Sequence, residues 1–232
     1  MLTRYTLPIC DHDGSLSVEQ FSVNKIICIG RNYAEHAREM GHDPEREPPF
    51  FFFKPQSALA QNNTDFIYPH FSQQVEHELE LVVAIGKSGE QISVADAADY
   101  VFGFAVGLDM TCRDRQREAK QMGRPWELGK GFDGSAPCTA IQRGSLTTLE
   151  QYGDLVLTRN GEEVQRGNWR TMVWSIPELI TEVSRYIKLE AGDLIFTGTP
   201  AGVGQVTPGD ALCASLEGFS QELTIVIAKK QS

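Results

Sequence analysis

Three glutamates at every second position, Glu76, Glu78 and Glu80, run into an apolar, largely β-branched stretch at residues 82–85. The apolar half predicts a buried strand, because a strand in the middle of a sheet is covered on both faces. Side chains alternate between the two faces of a strand, so the three glutamates are expected on one face. Carboxylates that approach a buried face repel one another and lose hydration, which they relieve by taking up protons or by binding a cation.

This acidic strand has two interpretations. Oxygen ligands on a rigid strand suit a hard divalent ion such as Mg²⁺, Mn²⁺ or Ca²⁺. The alternative is an edge strand whose acidic half is solvated, because perturbed carboxylates are often structural.

The same alternation predicts a second buried strand over residues 101–110. Its large side chains fall on one face, and only glycine and alanine fall on the other until that face ends in Asp109. Small residues let another backbone or a ligand approach closely, so Asp109 is a candidate to lie beside the acidic strand. The alternative is that Asp109 caps the polar helix predicted over residues 111–122.

The remaining pattern is dominated by strands. Further strands are predicted as a pair within residues 1–22, at 25–30, 50–53, 192–199, 211–216 and 222–228, and as a hairpin at 155–165 that turns at Asn160 and Gly161. Helices are predicted over residues 31–40, 91–100, 111–122 and 175–189, the last with an apolar stripe and a capping box. Strands clearly outnumber helices, which predicts an α+β, mostly β fold: an antiparallel sheet or barrel-like roll with a few peripheral helices.

Composition and charge exclude several classes of protein. The chain has 232 residues and a net charge of −10 with no long basic run, so nucleic acid and acidic membrane surfaces are not expected partners. Its five cysteines are widely spaced and form no CxxC pair, which argues against a disulfide framework or a zinc site and for a reducing compartment. Neither a signal peptide nor a membrane-spanning run is evident, so a cytoplasmic location is expected.

His36 and Glu39 are a candidate acid–base pair. They are three residues apart, hence on one face of the helix predicted over residues 31–40. A carboxylate that binds a histidine fixes its tautomer and basicity, which is the usual arrangement of a general base. The alternative is a solvated pair on a surface helix.

An acidic protein that handles anions needs local positive charge, so lysines beside apolar or glycine-rich stretches are candidates. Lys54 follows four phenylalanines at 50–53 and is apt to bind a carboxylate, unless it only extends from a core strand to solvent. Lys130 lies in a glycine-rich stretch at 123–134 that lacks the ending of a P-loop, so nucleotide binding is weakly supported. The glycine-rich stretch at 198–204 offers backbone N–H groups that bind carboxylates well.

Six motifs together resemble the fumarylacetoacetate hydrolase family. They are GRNYAEHAREM at 30–40, KP at 54–55, ELEL at 78–81, LDMTCRDRQ at 108–116, GKGFD at 129–133 and TGTPAGVG at 197–204. They occur in the family's order and cover most of the chain from residue 24 onward. The short length resembles the acylpyruvase-like, single-domain branch, and residues 46–52 look like those of fumarylpyruvate hydrolases of aromatic degradation.

The resemblance implies one catalytic domain over residues 1–232, with 1–22 as a short segment packed on it, a mixed β-roll and a homodimer. It implies a Mg²⁺ or Mn²⁺ ion, with Ca²⁺ also possible, held by Glu78, Glu80 and Asp109, whereas Glu76 falls outside the matching pattern. The implied catalytic residues are His36 and Glu39, which activate water, and Lys130. The implied substrate contacts are Arg31, Lys54, Gln116 and Thr199.

The activity that this resemblance favours is cleavage of the C3–C4 bond of an acylpyruvate, such as fumarylpyruvate, to pyruvate and a carboxylic acid. Activated water attacks the C4 carbonyl, and pyruvate leaves as an enolate whose charge the ion stabilises. A second interpretation uses the same site for oxaloacetate decarboxylation or for isomerisation of a 2-hydroxy-diene-dioate. A third, from another class, is a non-catalytic metal-binding scaffold.

Overall fold

The computed structural model describes residues 5–11, 13–34 and 48–229. Its strands are β1 (Thr6–Cys10), β2 (Leu16–Ser22), β3 (Ile26–Gly30), β4 (Phe50–Lys54), β5 (Leu59–Gln61), β6 (Phe66–Ile67), β7 (Val75–His77), β8 (Leu79–Ile85), β9 (Val101–Leu108), β10 (Thr111–Cys112), β11 (Ala136–Cys138), β12 (Ile141–Arg143), β13 (Asp154–Arg159), β14 (Glu162–Asn168), β15 (Leu194–Phe196), β16 (Gly204–Val206), β17 (Ala211–Leu216) and β18 (Leu223–Ala228). Its α-helices are α1 (Arg113–Met122), α2 (Glu127–Lys130), α3 (Leu146–Leu149) and α4 (Ile176–Tyr186). The mostly β fold class predicted from the sequence is confirmed.

The strands form three sheets. The largest has the order β2-β1-β12-β9-β8-β15-β3-β4, with β11 joined to β9 and β5 joined to β11. It is mixed, because β1 with β12, β15 with β3 and β11 with β5 are parallel pairs, whereas its other neighbours are antiparallel. A five-stranded sheet runs β14-β13-β17-β18-β6, and a small one runs β10-β7-β16.

Strand β8 is central in the largest sheet and buried along its whole length. Its odd-numbered side chains, from Leu79 to Ile85, pack into the larger of two apolar cores, which also receives α4 and the five-stranded sheet. Val82 and Ala84 on the opposite face pack into a second, smaller core. The alternation read from the sequence is therefore confirmed, and Glu80 occupies the end of the second face.

The prediction of one continuous strand over residues 75–86 is wrong at one point, because the strand is interrupted at Glu78. Before the break, β7 pairs with β10 and β16 in the small sheet. After it, β8 pairs with β9 and β15 in the largest sheet. Glu78 thus lies at the junction of two sheets.

The helical predictions had mixed outcomes. Helix α4 is confirmed, with the Glu178 carboxylate accepting from the Ser175 N–H at 2.9 Å to close the capping box. The helix predicted over 91–100 is wrong, since only a 3₁₀ turn at Ala97–Tyr100 forms. Helix α1 starts at Arg113 because the two residues before it pair as β10. Most of the helix predicted over 31–40 lies outside the described residues.

The hairpin at Asn160 and Gly161 is confirmed. Both residues have positive φ, 55° and 86°, as a type I′ turn requires. None of the helices in the described part of the chain is long and apolar enough to cross a membrane.

The small face of β9 permits close approach of backbone, as expected. A Cβ atom on Gly103 would lie 2.1 Å from the carbonyl oxygen of Gln142 in β12, and that oxygen belongs to a strand that cannot move aside. At Gly153, by contrast, the three atoms nearest to an added Cβ atom all belong to the side chain of Glu217, which is half exposed at 51%.

We expect Gly103→Ala to destabilise the protein by about 1–3 kcal/mol, the usual cost of overpacking a close contact. Urea unfolding followed by circular dichroism measures this. Gly153→Ala is the control, and its loss should stay within about 0.5 kcal/mol. Equal losses in the two variants would refute the close-approach explanation.

Candidate active site

Three carboxylates meet where β8 and β9 end. The ligand atoms of Glu78, Glu80 and Asp109 all lie within 4.8 Å of one another, and the three residues are 6%, 1% and 1% exposed. Asp109 follows β9, and its backbone N–H donates to the Glu78 carbonyl at 2.9 Å. This bond holds Glu78, between β7 and β8, beside Asp109 at the end of β9, which brings the carboxylates together as the sequence suggested.

Lysine side chains neutralise part of this cluster. Lys130, at the end of α2, places Nζ 2.7 Å from Glu78 Oε2 and 2.6 Å from Asp109 Oδ2. Burial alone would lower the pKa of Lys130, but Asp109 and Glu78 outweigh burial and raise it. Lys130 is therefore held as an ammonium ion in this arrangement.

Lys54 approaches Asp109 from the other side. Its Nζ lies 2.8 Å from Asp109 Oδ1 and 2.9 Å from Ser135 Oγ, and it also donates to the carbonyl of Lys130. The side chain is 2% exposed, so Lys54 does not extend to solvent. It contacts a carboxylate, as its position after the four phenylalanines suggested, and it lies behind Asp109 instead of lining the open cleft.

Arg113, the first residue of α1, was not among the predicted site residues. Its guanidinium binds Glu78 Oε1 at 2.5 Å, Glu76 Oε2 at 2.6 Å and Gln116 Oε1 at 2.7 Å. Burial opposes its charge, yet Glu78 and Glu76 hold the pKa of Arg113 above its ordinary value. Its spacing of three residues from the predicted contact Gln116, which puts both on one helix face, is the signal that identifies it.

Of the three clustered carboxylates, Glu80 has the least compensation by nearby positive charge. Its Oε2 accepts from the Gly198 backbone N–H at 2.8 Å, and no described cation pairs with it. Burial, followed by the charges of Asp109 and Glu78, raises the pKa of Glu80 well above its ordinary value. A divalent cation would relieve this repulsion, and three converging carboxylate oxygens are the donors that Mg²⁺ and Mn²⁺ prefer. The residues present thus fit such an ion.

The carboxylates form the base of a cleft that is open to solvent on one side. Phe50 and Phe52, on alternate positions of β4, line one wall together with Trp126, which lies 5.6 Å and 5.8 Å from their ring centroids. Phe51 turns to the other side and packs near Tyr186. Phe50 and Phe52 therefore line the cleft and Phe51 packs against the core, whereas Phe53 is 44% exposed.

The predicted site residues are distributed as follows. Seven line the cleft, namely Arg31, Glu78, Glu80, Asp109, Gln116, Lys130 and Thr199. Lys54 lies behind them, and the predicted pair His36 and Glu39 lies outside the described residues. Lys120 also lines the cleft, with its Nζ 4.8 Å from the ring centroid of Trp126, and it was not predicted.

The fold and the cleft define a class of protein: a mostly β chain that gathers three buried carboxylates and several cations at the base of one cleft. A family model described as the C-terminal region of fumarylacetoacetate (FAA) hydrolase matches residues 25–226. The chain belongs to the fumarylacetoacetate hydrolase family and is an enzyme of that family.

Relatives of the chain carry different activities. The crystal structure of fumarylpyruvate hydrolase from Pseudomonas aeruginosa, in complex with Mn²⁺ and pyruvate, is similar with a TM-score of 0.90 and 40% identity, over 99% of each chain. The mitochondrial oxaloacetate tautomerase FAHD1 of Mus musculus is 44% identical over 83% of this chain and 87% of its own. The mitochondrial oxaloacetate decarboxylase of Dictyostelium discoideum is 39% identical over 90% of this chain and 96% of its own.

The carboxylate cluster predicts an unusual response to Glu80→Gln. A carboxyl group whose pKa is raised by folding costs stability as the pH rises above about 4.5, its ordinary pKa, because the unfolded chain loses the proton more readily than the folded protein does. At pH 8 the metal-free variant is therefore expected to melt higher than the wild type, by about 2–4 °C for each kcal/mol of repulsion that the substitution removes in a chain of this size. Mn²⁺ affinity should fall on the order of tenfold or more, because a charged ligand is lost.

Differential scanning calorimetry in EDTA and Mn²⁺ titration measure the two effects. Glu118→Gln is the control, because Glu118 is a solvent-exposed carboxylate on α1 that pairs with Arg115 at 2.9 Å. It should change neither quantity appreciably. A Glu80→Gln protein that melts lower, or that binds Mn²⁺ as the wild type does, would contradict the description of the cluster.

Proposed function

We propose that the enzyme hydrolyses the C3–C4 bond of an acylpyruvate, a 2,4-dioxo acid, to give pyruvate and a carboxylic acid. The observation that carries the proposal is the buried Glu78, Glu80 and Asp109 cluster, with Lys130 on it, at the base of a cation-lined cleft. The similarity to fumarylpyruvate hydrolase, at 40% identity over nearly the whole chain, supports this substrate class.

Glu78, Glu80 and Asp109 are the proposed ligands of the metal ion. Mn²⁺ in the fumarylpyruvate hydrolase complex supports a divalent ion, and Mg²⁺ has the same preference for carboxylate oxygens. When bound, such an ion would act as a Lewis acid that polarises a 2-oxo acid and stabilises the negative charge that develops on the pyruvate fragment.

Residues of the cleft would bind and orient the substrate. Gln116 Oε1 is occupied by Arg113, so its NH₂ group is the half of the amide that remains to donate to a substrate oxygen. Lys130 carries a positive charge at the carboxylates and would stabilise an oxyanion at C4 or deliver a proton to it. Arg31 and Thr199 line the same cleft and would contact the substrate carboxylate.

Water activation is assigned to His36, oriented by Glu39. A histidine bound to a carboxylate removes a proton from water, and the resulting hydroxide attacks the C4 carbonyl. This assignment is supported by the three-residue spacing of the pair and by its place in the family motif.

Decarboxylation or tautomerisation of oxaloacetate is the second candidate. It is favoured by the similarity to the mouse oxaloacetate tautomerase and the Dictyostelium decarboxylase, at 44% and 39% identity. These reactions use the same 2-oxo acid site and need no attack by water, so they do not depend on His36.

A homodimer and a cytoplasmic location are part of the proposal. The dimer is supported by the family resemblance, and the location by the free cysteines within the described residues.

The activity is tested by following the loss of diketo absorbance of fumarylpyruvate and acetylpyruvate with Mg²⁺ and with EDTA, beside oxaloacetate decarboxylation. We expect fumarylpyruvate cleavage to require Mg²⁺ and to exceed both other reactions. His36→Ala should lower its kcat by about 10²–10⁴-fold, the usual contribution of a general base, while any oxaloacetate turnover persists.

His70→Ala is the matched control, because His70 is an exposed histidine outside the cleft. Turnover of oxaloacetate alone would replace hydrolysis by the second candidate. Near-normal fumarylpyruvate cleavage by His36→Ala would remove the assigned base.

Lys120 favours a substrate with a second carboxylate. It lines the cleft together with Arg31 and Arg113, so several cations lie close to one another there. Burial, followed by the charges of Arg113 and Arg31, lowers the pKa of Lys120. Fumarylpyruvate is a dianion, whereas acetylpyruvate has one carboxylate, and positive potential favours the dianion.

We expect Lys120→Met to raise KM for fumarylpyruvate severalfold and to change KM for acetylpyruvate less. Lys87→Met is the control, since Lys87 also lies 4.8 Å from an aromatic ring centroid, that of Tyr100, but does not line the cleft. Equal increases of KM for the two substrates would show that Lys120 does not recognise the second carboxylate.

A further inference from the structure

Gln165 is a buried polar residue in a strand that is otherwise partly or fully exposed. It is 2% exposed, and it is the one buried position of β14. Gln165 pairs with Leu157 of β13, and the register of the β13–β14 pairing shifts between Leu157 and the next residue, Thr158. Such a bulge re-aims a side chain, and here it directs the Gln165 carboxamide inward.

All four hydrogen-bonding positions of this carboxamide are occupied. Oε1 lies 3.1 Å from the backbone N of Leu79 and 3.1 Å from His77 Nδ1. Nε2 lies 2.7 Å from Thr199 Oγ1 and 2.8 Å from the carbonyl oxygen of Pro200. One side chain thus connects the residues on both sides of Glu78 with the loop that carries Thr199.

The direction of each bond follows from the partners. A backbone N–H can only donate, so the amide atom that faces Leu79 must be the oxygen. A backbone carbonyl can only accept, so the atom that faces Pro200 must be the NH₂ group. The same NH₂ group therefore donates its other hydrogen to the Thr199 hydroxyl.

This direction determines what Thr199 can offer in the cleft. Its hydroxyl oxygen accepts from Gln165, and no described residue accepts the hydroxyl hydrogen. Thr199 is 3% exposed and lines the cleft at its carboxylate base. The hydrogen is left for a ligand.

We infer that Gln165 is a positioning residue that holds the Thr199 hydroxyl as a hydrogen-bond donor to the carboxylate of a 2-oxo acid in the cleft. The inference rests on the proposed function, because it needs an anionic ligand there. Gln165 acts through Thr199 and does not touch the ligand. It also fixes the distance of that donor from Glu78, since the same amide binds the residues on both sides of Glu78.

Gln165→Glu is the diagnostic variant because it keeps the shape and half of the hydrogen bonds. Because a protonated acid could donate as the amide does, this variant is measured at several pH values, up to alkaline pH. The ionised carboxylate still accepts from Leu79 and His77, but its second oxygen cannot donate. Thr199 would then donate its hydrogen to residue 165, and the cleft would face the hydroxyl lone pairs, which repel an anion.

The readout is the Kd of pyruvate, measured by isothermal titration calorimetry with saturating Mn²⁺, together with the Kd of Mn²⁺ alone. Thr199→Val should weaken pyruvate binding by roughly tenfold, the loss of one hydrogen bond to a charged group. Gln165→Glu should weaken it to a similar extent. Thr199→Ser, which keeps the hydroxyl, should bind pyruvate like the wild type.

The double variant Gln165→Glu, Thr199→Val decides between mechanisms. If Gln165 acts through the hydroxyl, the double variant binds pyruvate about as well as either single variant. If the two effects multiply to about a hundredfold, Gln165 acts by charge or by packing and the inference is overturned. Gln205→Glu is the control, because it makes the same change of charge at an exposed residue of β16, which pairs with β7. It should leave pyruvate binding unchanged.

Further outcomes are equally decisive. Should Gln165→Glu fail to fold, Gln165→Met takes its place in the cycle, and the same non-additivity with Thr199→Val is expected. A wild type that binds no pyruvate overturns the inference. Coupled pyruvate binding in an enzyme that does not cleave acylpyruvates supports the inference and overturns only the hydrolase proposal.

Discussion

Mutual repulsion among buried carboxylates is the constraint on which the architecture of this protein depends. The ligand atoms of three buried residues, Glu78, Glu80 and Asp109, lie within 4.8 Å of one another. This arrangement costs free energy unless positive charge surrounds it. Helices α1 and α2 supply that charge through Arg113 and Lys130, and β4 supplies Lys54. These three elements surround the ends of β8 and β9, and their cations neutralise part of the cluster.

Much of this arrangement could be predicted from short-range pattern. The period of two along residues 75–86 places Glu80 on the same face as Val82, and the same pattern in residues 101–110 places Asp109 at the end of a second buried strand. The pairing of β8 with β9 then brings Asp109 to Glu78. The break at Glu78 could not be predicted in this way. The interruption arises because β7 pairs with β10 and β16, which lie far along the chain. The local pattern of residues does not show which distant strands will pair.

The burial of Gln165 is a second feature that the local sequence pattern does not predict. In the sequence it stands among charged residues of an exposed hairpin, and nothing local separates it from Glu163 or Arg166. Its burial is produced by a register shift and by contacts with residues 77, 79 and 199, which are 34 to 88 positions away. Arg113 differs, because its spacing from Gln116 is visible in the sequence, whereas its pairing with Glu76 and Glu78 is not.

The position of Glu78 between two sheets has a mechanical consequence. The strand before it belongs to the small sheet, whereas Glu80 belongs to the large one. A cation held by this cluster would connect the small sheet with the large one where the two meet, without a covalent bond. Its binding free energy would then add to the free energy needed to separate the two sheets at this point. The rigidity of the cleft would therefore depend on metal occupancy as well as on packing.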